Sequence, residues 1–144
     1  MATTFRATIE HVNHTTSRAV VRSHTALVDR GIAKGGFDLG PAGGEYQLVA
    51  LGGCFTSHLL GAIRAREAAI TGVKVAVSGT LDGNPERFTA FTVDVTADCQ
   101  DPDLAKKLIT IASRACQVMN TLRQSTPIDI SYQGVPIESA EAVA

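Results

Sequence analysis

The chain has 144 residues, a mass of 15.1 kDa, a formal net charge of −1 and a pI near 6.4, enough for one domain with a buried core. So balanced a charge excludes broad electrostatic attraction to phosphate backbones or anionic membrane surfaces and argues against a nucleic-acid-binding module. Aromatic residues are only 5% and Trp is absent, so the core is expected to be aliphatic.

The opening stretch MATTFRATIEHVNH lacks a basic start followed by an apolar run, and no segment is expected to approach the ~20 apolar residues of a membrane span. This reading places the chain in the cytoplasm, away from membranes. Three cysteines, Cys54, Cys99 and Cys116, do not make an even disulfide framework. In a reducing compartment such thiols are structural, redox-active or metal-binding.

Residues 3 to 10 alternate Phe5, Ala7, Ile9 against Arg6, Thr8, Glu10, the period of a half-buried strand, with a turn at Asn13 and His14 to follow. Residues 18 to 29 carry two short β-prone runs around Ser23 and His24, which predict a small meander. Gly31 to Gly44 is dense in glycine and holds Pro41, marking a tight loop.

From Glu45 to about Glu67 there is no proline, and Leu48, Gly52, Phe55, Leu59 and Ala62 recur at helical spacing, which predicts a central helix. Its glycines, 52, 53 and 61, cost about 1 kcal/mol each against alanine, so close packing is expected to be their reason. Val73 to Leu81 and Phe91 to Ala97 alternate as two strands about the turn Asp82 to Arg87.

Asp101 and Pro102 begin a second helix with a stripe through Leu104, Leu108, Ile111 and Ala115. A short helical continuation over 117 to 125 should stop at Pro127. A last strand (Ile128, Ile130, Tyr132) then precedes a tail, 136 to 144, expected to fray. Strands grouped around two helices predict an α+β fold.

Cys54 shares its helical face with Gln47, Ala50, Leu51, Ser57, His58 and Gly61, a small and partly polar face beside the apolar one. One turn before His58, its thiol is placed for stabilisation by imidazolium or hydrogen bonds; the rival reading is a buried structural cysteine. Cys116 ends an apolar stripe and reads locally as core, as does Cys99. Zinc binding through Cys54, His58 and Cys116 lacks the usual clustered ligands, and G-x-S-x-G, G-x-G-x-x-G and P-loop motifs are absent. Arg18, Arg22 and Arg30 are either solvated or able to stabilise a thiolate. Glu45 suits a helix start without another role.

GPAGGEYQLVALGGCF (Gly40 to Phe55) and RACQVMNTL (Arg114 to Leu122) together resemble the OsmC/Ohr family of osmotically inducible and organic hydroperoxide resistance proteins. The resemblance implies an α+β intertwined homodimer with two central helices between antiparallel sheets and sites at the subunit interface. It implies that Cys54 is the peroxidatic cysteine, attacking an organic hydroperoxide to give a sulfenic acid, and that Cys116 resolves it as a disulfide. A dithiol or lipoylated-protein reductant would complete this cycle, with no metal or other cofactor.

Arg18, with Arg22 as runner-up, resembles the family's active-site arginine, and Glu45 the glutamate of its OsmC-like branch. Two positions depart from the peroxidase branch: Gly44 stands where that branch has its glutamate, and Gln117 replaces a proline common after the second cysteine. The leading expectation is thus a thiol-dependent peroxidase. The alternatives are an OsmC-like small-ligand-binding protein without turnover and a zinc protein.

Overall fold

The computed structural model describes residues 1–140, as two compact units covering 1–47 and 48–140. The fold class is α+β, with two sheets and three helices.

In the N-terminal unit, β1 (Thr8–His11), β2 (Ser17–Val21) and β3 (His24–Val28) form an antiparallel sheet in the order β1-β2-β3. The first strand is shorter than the alternation from residue 3 predicts. The turn between β1 and β2 is made by Asn13, whose side-chain oxygen accepts from the amides of Thr15 and Thr16 at 3.1 and 2.9 Å, the chemistry expected of Asn there.

Asp29 then clasps the glycine-rich loop. Its carboxylate accepts from the Thr16 hydroxyl (2.8 Å) and from the amides of Arg30 (2.7 Å) and Leu39 (3.2 Å), while its own amide donates to Pro41 at 3.1 Å. Gly40 is required by the close return of the chain: a Cβ there would strike the Leu27 carbonyl. Tyr46 adds a bond from its hydroxyl to the same carbonyl, 2.6 Å.

α1 (Gly43–Ala65) is the central helix. Its buried residues are Leu51, Phe55, Leu59, Ala62 and Ile63, so Leu51 belongs to the core stripe and not, as the helical wheel predicts, to a polar face around Cys54. Gly52 has the packing role expected of it, since a Cβ would lie 2.8 Å from the Val77 side chain, but Gly53 and Gly61 face open space within this chain. The expectation that no segment reaches membrane length does not hold: α1 has 23 residues and a window of mean hydropathy 1.3. Part of that apolarity is accounted for by its buried core stripe.

The C-terminal unit holds a sheet in the order β4-β5-β6-β7: β4 (Thr71–Asp82), β5 (Arg87–Asp98), β6 (Ile128–Tyr132) and β7 (Val135–Ala140). The β4–β5 hairpin is antiparallel and longer than predicted. β5 and β6 run parallel, which obliges the chain to cross over between them. That crossover is α2 (Pro102–Ala115) and α3 (Gln117–Leu122). β7 pairs with β6 through Val135, Pro136, Ile137 and Ala140; of the tail expected to fray, 141–144 lie outside the described residues.

α2 starts as its sequence predicts, with the Asp101 carboxylate accepting from the Leu104 amide at 3.1 Å and Pro102 in the first turn. Its buried face is Ala105, Leu108, Ile109, Ala112 and Ser113, rotated by about one residue from the expected stripe. Leu104 and Ile111 are only partly buried and Ala115 is exposed. Together α1 and α2 supply Phe55, Leu51, Leu108 and Ile109 to one core that also takes Phe91, Val93 and Val95 of β5 and Ile128 and Ile130 of β6. Each such fully buried side chain contributes about 1.5–3 kcal/mol.

The Asp29 clasp has a pH signature. Burial raises its carboxyl, but the Thr16 hydroxyl and the amides of Leu39 and Arg30 outweigh that and hold it at about 2, against 3.8 unperturbed. A folded-state value below the unfolded one means a contribution fully present above pH 3.8 and lost as pH falls through about 2. The gap in thermal midpoint between wild type and Asp29→Asn should therefore be constant above about pH 5 and close on acidification towards pH 2.

Candidate active site

The site grows from two features of the C-terminal unit. The first is Cys54, half-buried on α1, next in sequence to Phe55, which is 0% exposed. The second is the break between α2 and α3. Cys116 adopts an extended backbone (φ −72°, ψ 111°) and serves both helices, as C-cap of α2 through its amide to Ala112 (3.1 Å) and as N-cap of α3 through its sulfur, which accepts from the Met119 amide at 3.4 Å. A thiol standing where Ser or Asp usually caps is fixed in place by the backbone itself.

Both thiols are free, and the Cys54 thiol acts electrostatically on that of Cys116. Burial pushes the Cys116 thiol up, the Met119 amide pulls it down, and Cys54 pushes it up again, to about 11 against 9.0 unperturbed. At neutral pH Cys116 is therefore a thiol.

Gln117, the first residue of α3, joins the second feature to the first. Its Oε1 lies 3.3 Å from Cys54 Sγ, which donates to it, and 2.8 Å from His58 Nε2. A carbonyl oxygen only accepts, so this bond exists while the sulfur carries its proton. Rotation of the amide would present N–H groups to the sulfur instead, the partners a thiolate requires. His58, one turn after Cys54, is thus held by Gln117. A proline at position 117 would make neither bond.

Arg123 closes the back of the site. It is 8% exposed, and its guanidinium donates to the Ser113 carbonyl (3.3 Å) and to the Met119 sulfur (2.9 Å), with Nε buried and unpartnered. Burial lowers its pKa and Cys116 acts on it in the opposite direction.

The residues anticipated from sequence are distributed as follows. Cys54, Cys116 and His58 come together. Arg18 lies exposed on β2 of the N-terminal unit, opposite Glu10 and Leu27, and Arg22 occupies the β2–β3 turn with φ 55°. Glu45 Oε1 accepts from the Ala42 amide at 2.9 Å, the helix-start role its position allows. Cys99 is half-buried and its sulfur donates to the Asp101 carbonyl at 3.2 Å. Among the described residues no three His, Cys, Asp or Glu side chains converge on a point.

Gln117 and Arg123 are the contributors that sequence reasoning missed. Gln117 stood out only as a replaced proline. Arg123 follows Cys116 by seven positions and Met119 by four, and a charge in that apolar period was the available signal.

A family profile described as OsmC-like protein matches residues 35–131. The chain belongs to the OsmC-like family. An OsmC-like protein from Mycoplasma pneumoniae has a TM-score of 0.81 at 17% identity, over 94% of this chain and 99% of that one. An organic hydroperoxide resistance protein OsmC from Legionella pneumophila has a TM-score of 0.71 at 15% identity, over 92% and 98%. One from Elizabethkingia anophelis, also an organic hydroperoxide resistance protein, has a TM-score of 0.71 at 16% identity, over 92% and 96%. No curated protein matches the chain. These likenesses establish the OsmC-type α+β fold.

The raised Cys116 thiol makes the fold alkali-sensitive. Its folded-state value lies above the unfolded one, so the contribution is complete below pH 9.0 and is lost as pH rises through about 11. Between those values the thermal midpoint of wild type should fall more steeply than that of Cys116→Ala, measured by circular dichroism.

Proposed function

We propose that this OsmC-like chain is a thiol-dependent peroxidase that reduces organic hydroperoxides through Cys54 and Cys116. The observation that carries this reading is the interaction of two free thiols, one half-buried on α1 and the other fully buried where α2 meets α3. Family membership and fold neighbours named for organic hydroperoxide resistance support a redox-related role.

In this scheme the Cys54 thiolate attacks one peroxide oxygen of ROOH. The O–O bond breaks, leaving Cys54 as sulfenic acid and releasing ROH once a proton is taken up. Cys116 then displaces the hydroxyl group as water, forming the Cys54–Cys116 disulfide. A dithiol, free or as a lipoyl group on a protein, supplies two electrons and two protons to restore both thiols.

Arg18 and Glu45 enter the proposal through the family resemblance, Arg18 as the charge that stabilises the Cys54 thiolate and orients the peroxide. Activity as a homodimer in the reducing cytoplasm is part of the same reading. Val49 and Leu60, 58% and 51% exposed on α1, supply apolar surface that a second subunit would cover. An open groove of about 620 Å³ beside them, lined by Leu48, Gly52, Thr56, Val75 and Val77, favours as second reading an apolar-ligand-binding protein without turnover.

Turnover separates the two. With cumene hydroperoxide and dithiothreitol, Cys54→Ser should lose activity by at least about a hundredfold and Arg18→Ala by about tenfold. A Cys54→Ser protein consuming peroxide at the wild-type rate would refute the peroxidase reading.

A further inference from the structure

A guanidinium removed from water is costly unless an anion or a full set of acceptors compensates it, and a lone buried charge costs several kcal/mol. Arg123 is 8% exposed, yet its partners are a carbonyl and a thioether, neither an anion, and its Nε has no acceptor at all. The guanidinium is thus under-satisfied in the resting thiol state. Position explains what would satisfy it. Met119 links the two groups: its amide donates to the Cys116 sulfur and its own sulfur accepts from Arg123. The groups acting on the Cys116 sulfur are Cys54 from α1, the amides of Val118 and Met119 from α3, and Arg123 beyond them.

We propose that Arg123 is a positioning residue for the second sulfur: the buried counter-cation that stabilises Cys116 whenever it carries negative charge. This deepens the peroxidase reading and rests on it. Such charge develops at two points of the cycle. When Cys116 attacks Cys54 sulfenic acid, its S–H proton leaves with the hydroxyl as water while the S–S bond forms. When one sulfur of an external dithiol attacks the Cys54 sulfur of that disulfide, the S–S bond breaks, a mixed disulfide forms at Cys54 and Cys116 departs as thiolate, later taking a proton; the second sulfur of the dithiol then displaces Cys54, leaving the dithiol as a disulfide and both protein cysteines as thiols. In apolar surroundings the thiolate is a poor leaving group unless a cation is already in place. Arg123 provides that charge without reaching the substrate, linked to the Cys116 sulfur through Met119.

The second step is tested without any peroxide. Diamide converts neighbouring thiols to a disulfide, and the Cys54–Cys116 disulfide so formed, in a Cys99→Ser protein, is reduced with dithiothreitol across pH 6 to 9 while free thiol is counted. Arg123→Met removes the charge with an apolar chain that the core accepts, and Arg123→Lys keeps the charge. Reduction of Arg123→Met should be slower by about tenfold or more, most markedly at low pH, with Arg123→Lys within about threefold of the parent. Equal rates for the parent and Arg123→Met would overturn the assignment, as would an Arg123→Lys protein as slow as Arg123→Met. Failure of diamide to link Cys54 to Cys116 in the parent would overturn the peroxidase reading itself, a result distinct from unchanged kinetics in a disulfide that forms.

Discussion

The break between α2 and α3 at Cys116 is the constraint on which the rest of the site depends. One residue closes one helix with its amide and opens the next with its sulfur, so the position of that sulfur is dictated by backbone hydrogen bonds and not by a rotamer alone. Packing supplies the other half. Leu51, Phe55 and Leu59 lock α1 into the same core as Leu108, Ile109, Ala112 and Met119, and Cys54, adjacent to Phe55, is carried to the break with no freedom to slide.

This arrangement places the sulfur of Cys116 in surroundings that resist charge. Cys116 is driven up to about 11 mainly by burial, and the oxygen of Gln117 accepts from the Cys54 thiol. A resting thiol held like Cys116 is protected from adventitious oxidation, since the thiolate is the reactive form. Reactivity then depends on groups that favour charge when it develops. Within the C-terminal unit the groups proposed for this are the Gln117 amide, which rotation would turn from acceptor to donor, and the buried Arg123. Gln117, the residue after the second cysteine, carries a polar side chain that a proline would lack and so brings a hydrogen-bonding group to the site.

Much of this was legible in the sequence because local rules and tertiary packing agree. Alternation located β4, β5 and β6; Asp101 and Pro102 marked the start of α2; the two cysteine motifs identified the family. What was missed has physical causes. The buried stripe of α2 includes Ser113, whose hydroxyl donates to the Thr110 carbonyl at 2.9 Å, and a polarity-based wheel cannot anticipate a satisfied serine. The helical wheel puts Leu51 on the polar face because it gives angles but not the width of the buried arc. β7 resisted prediction because its pairing with β6 is a tertiary choice. The Gln117 and Arg123 roles depend on the chain breaking at Cys116, and a cysteine cap has no strong sequence signature.

The central claim is that Cys54 and Cys116 form one redox pair while Cys99 stands apart. Titration of the reduced protein with a single equivalent of an organic hydroperoxide, followed by mass mapping of every cysteine, tests it most directly. The account predicts a Cys54–Cys116 disulfide within one chain and Cys99 recovered as free thiol. A disulfide that includes Cys99, or oxidation that leaves both Cys54 and Cys116 reduced, would contradict it.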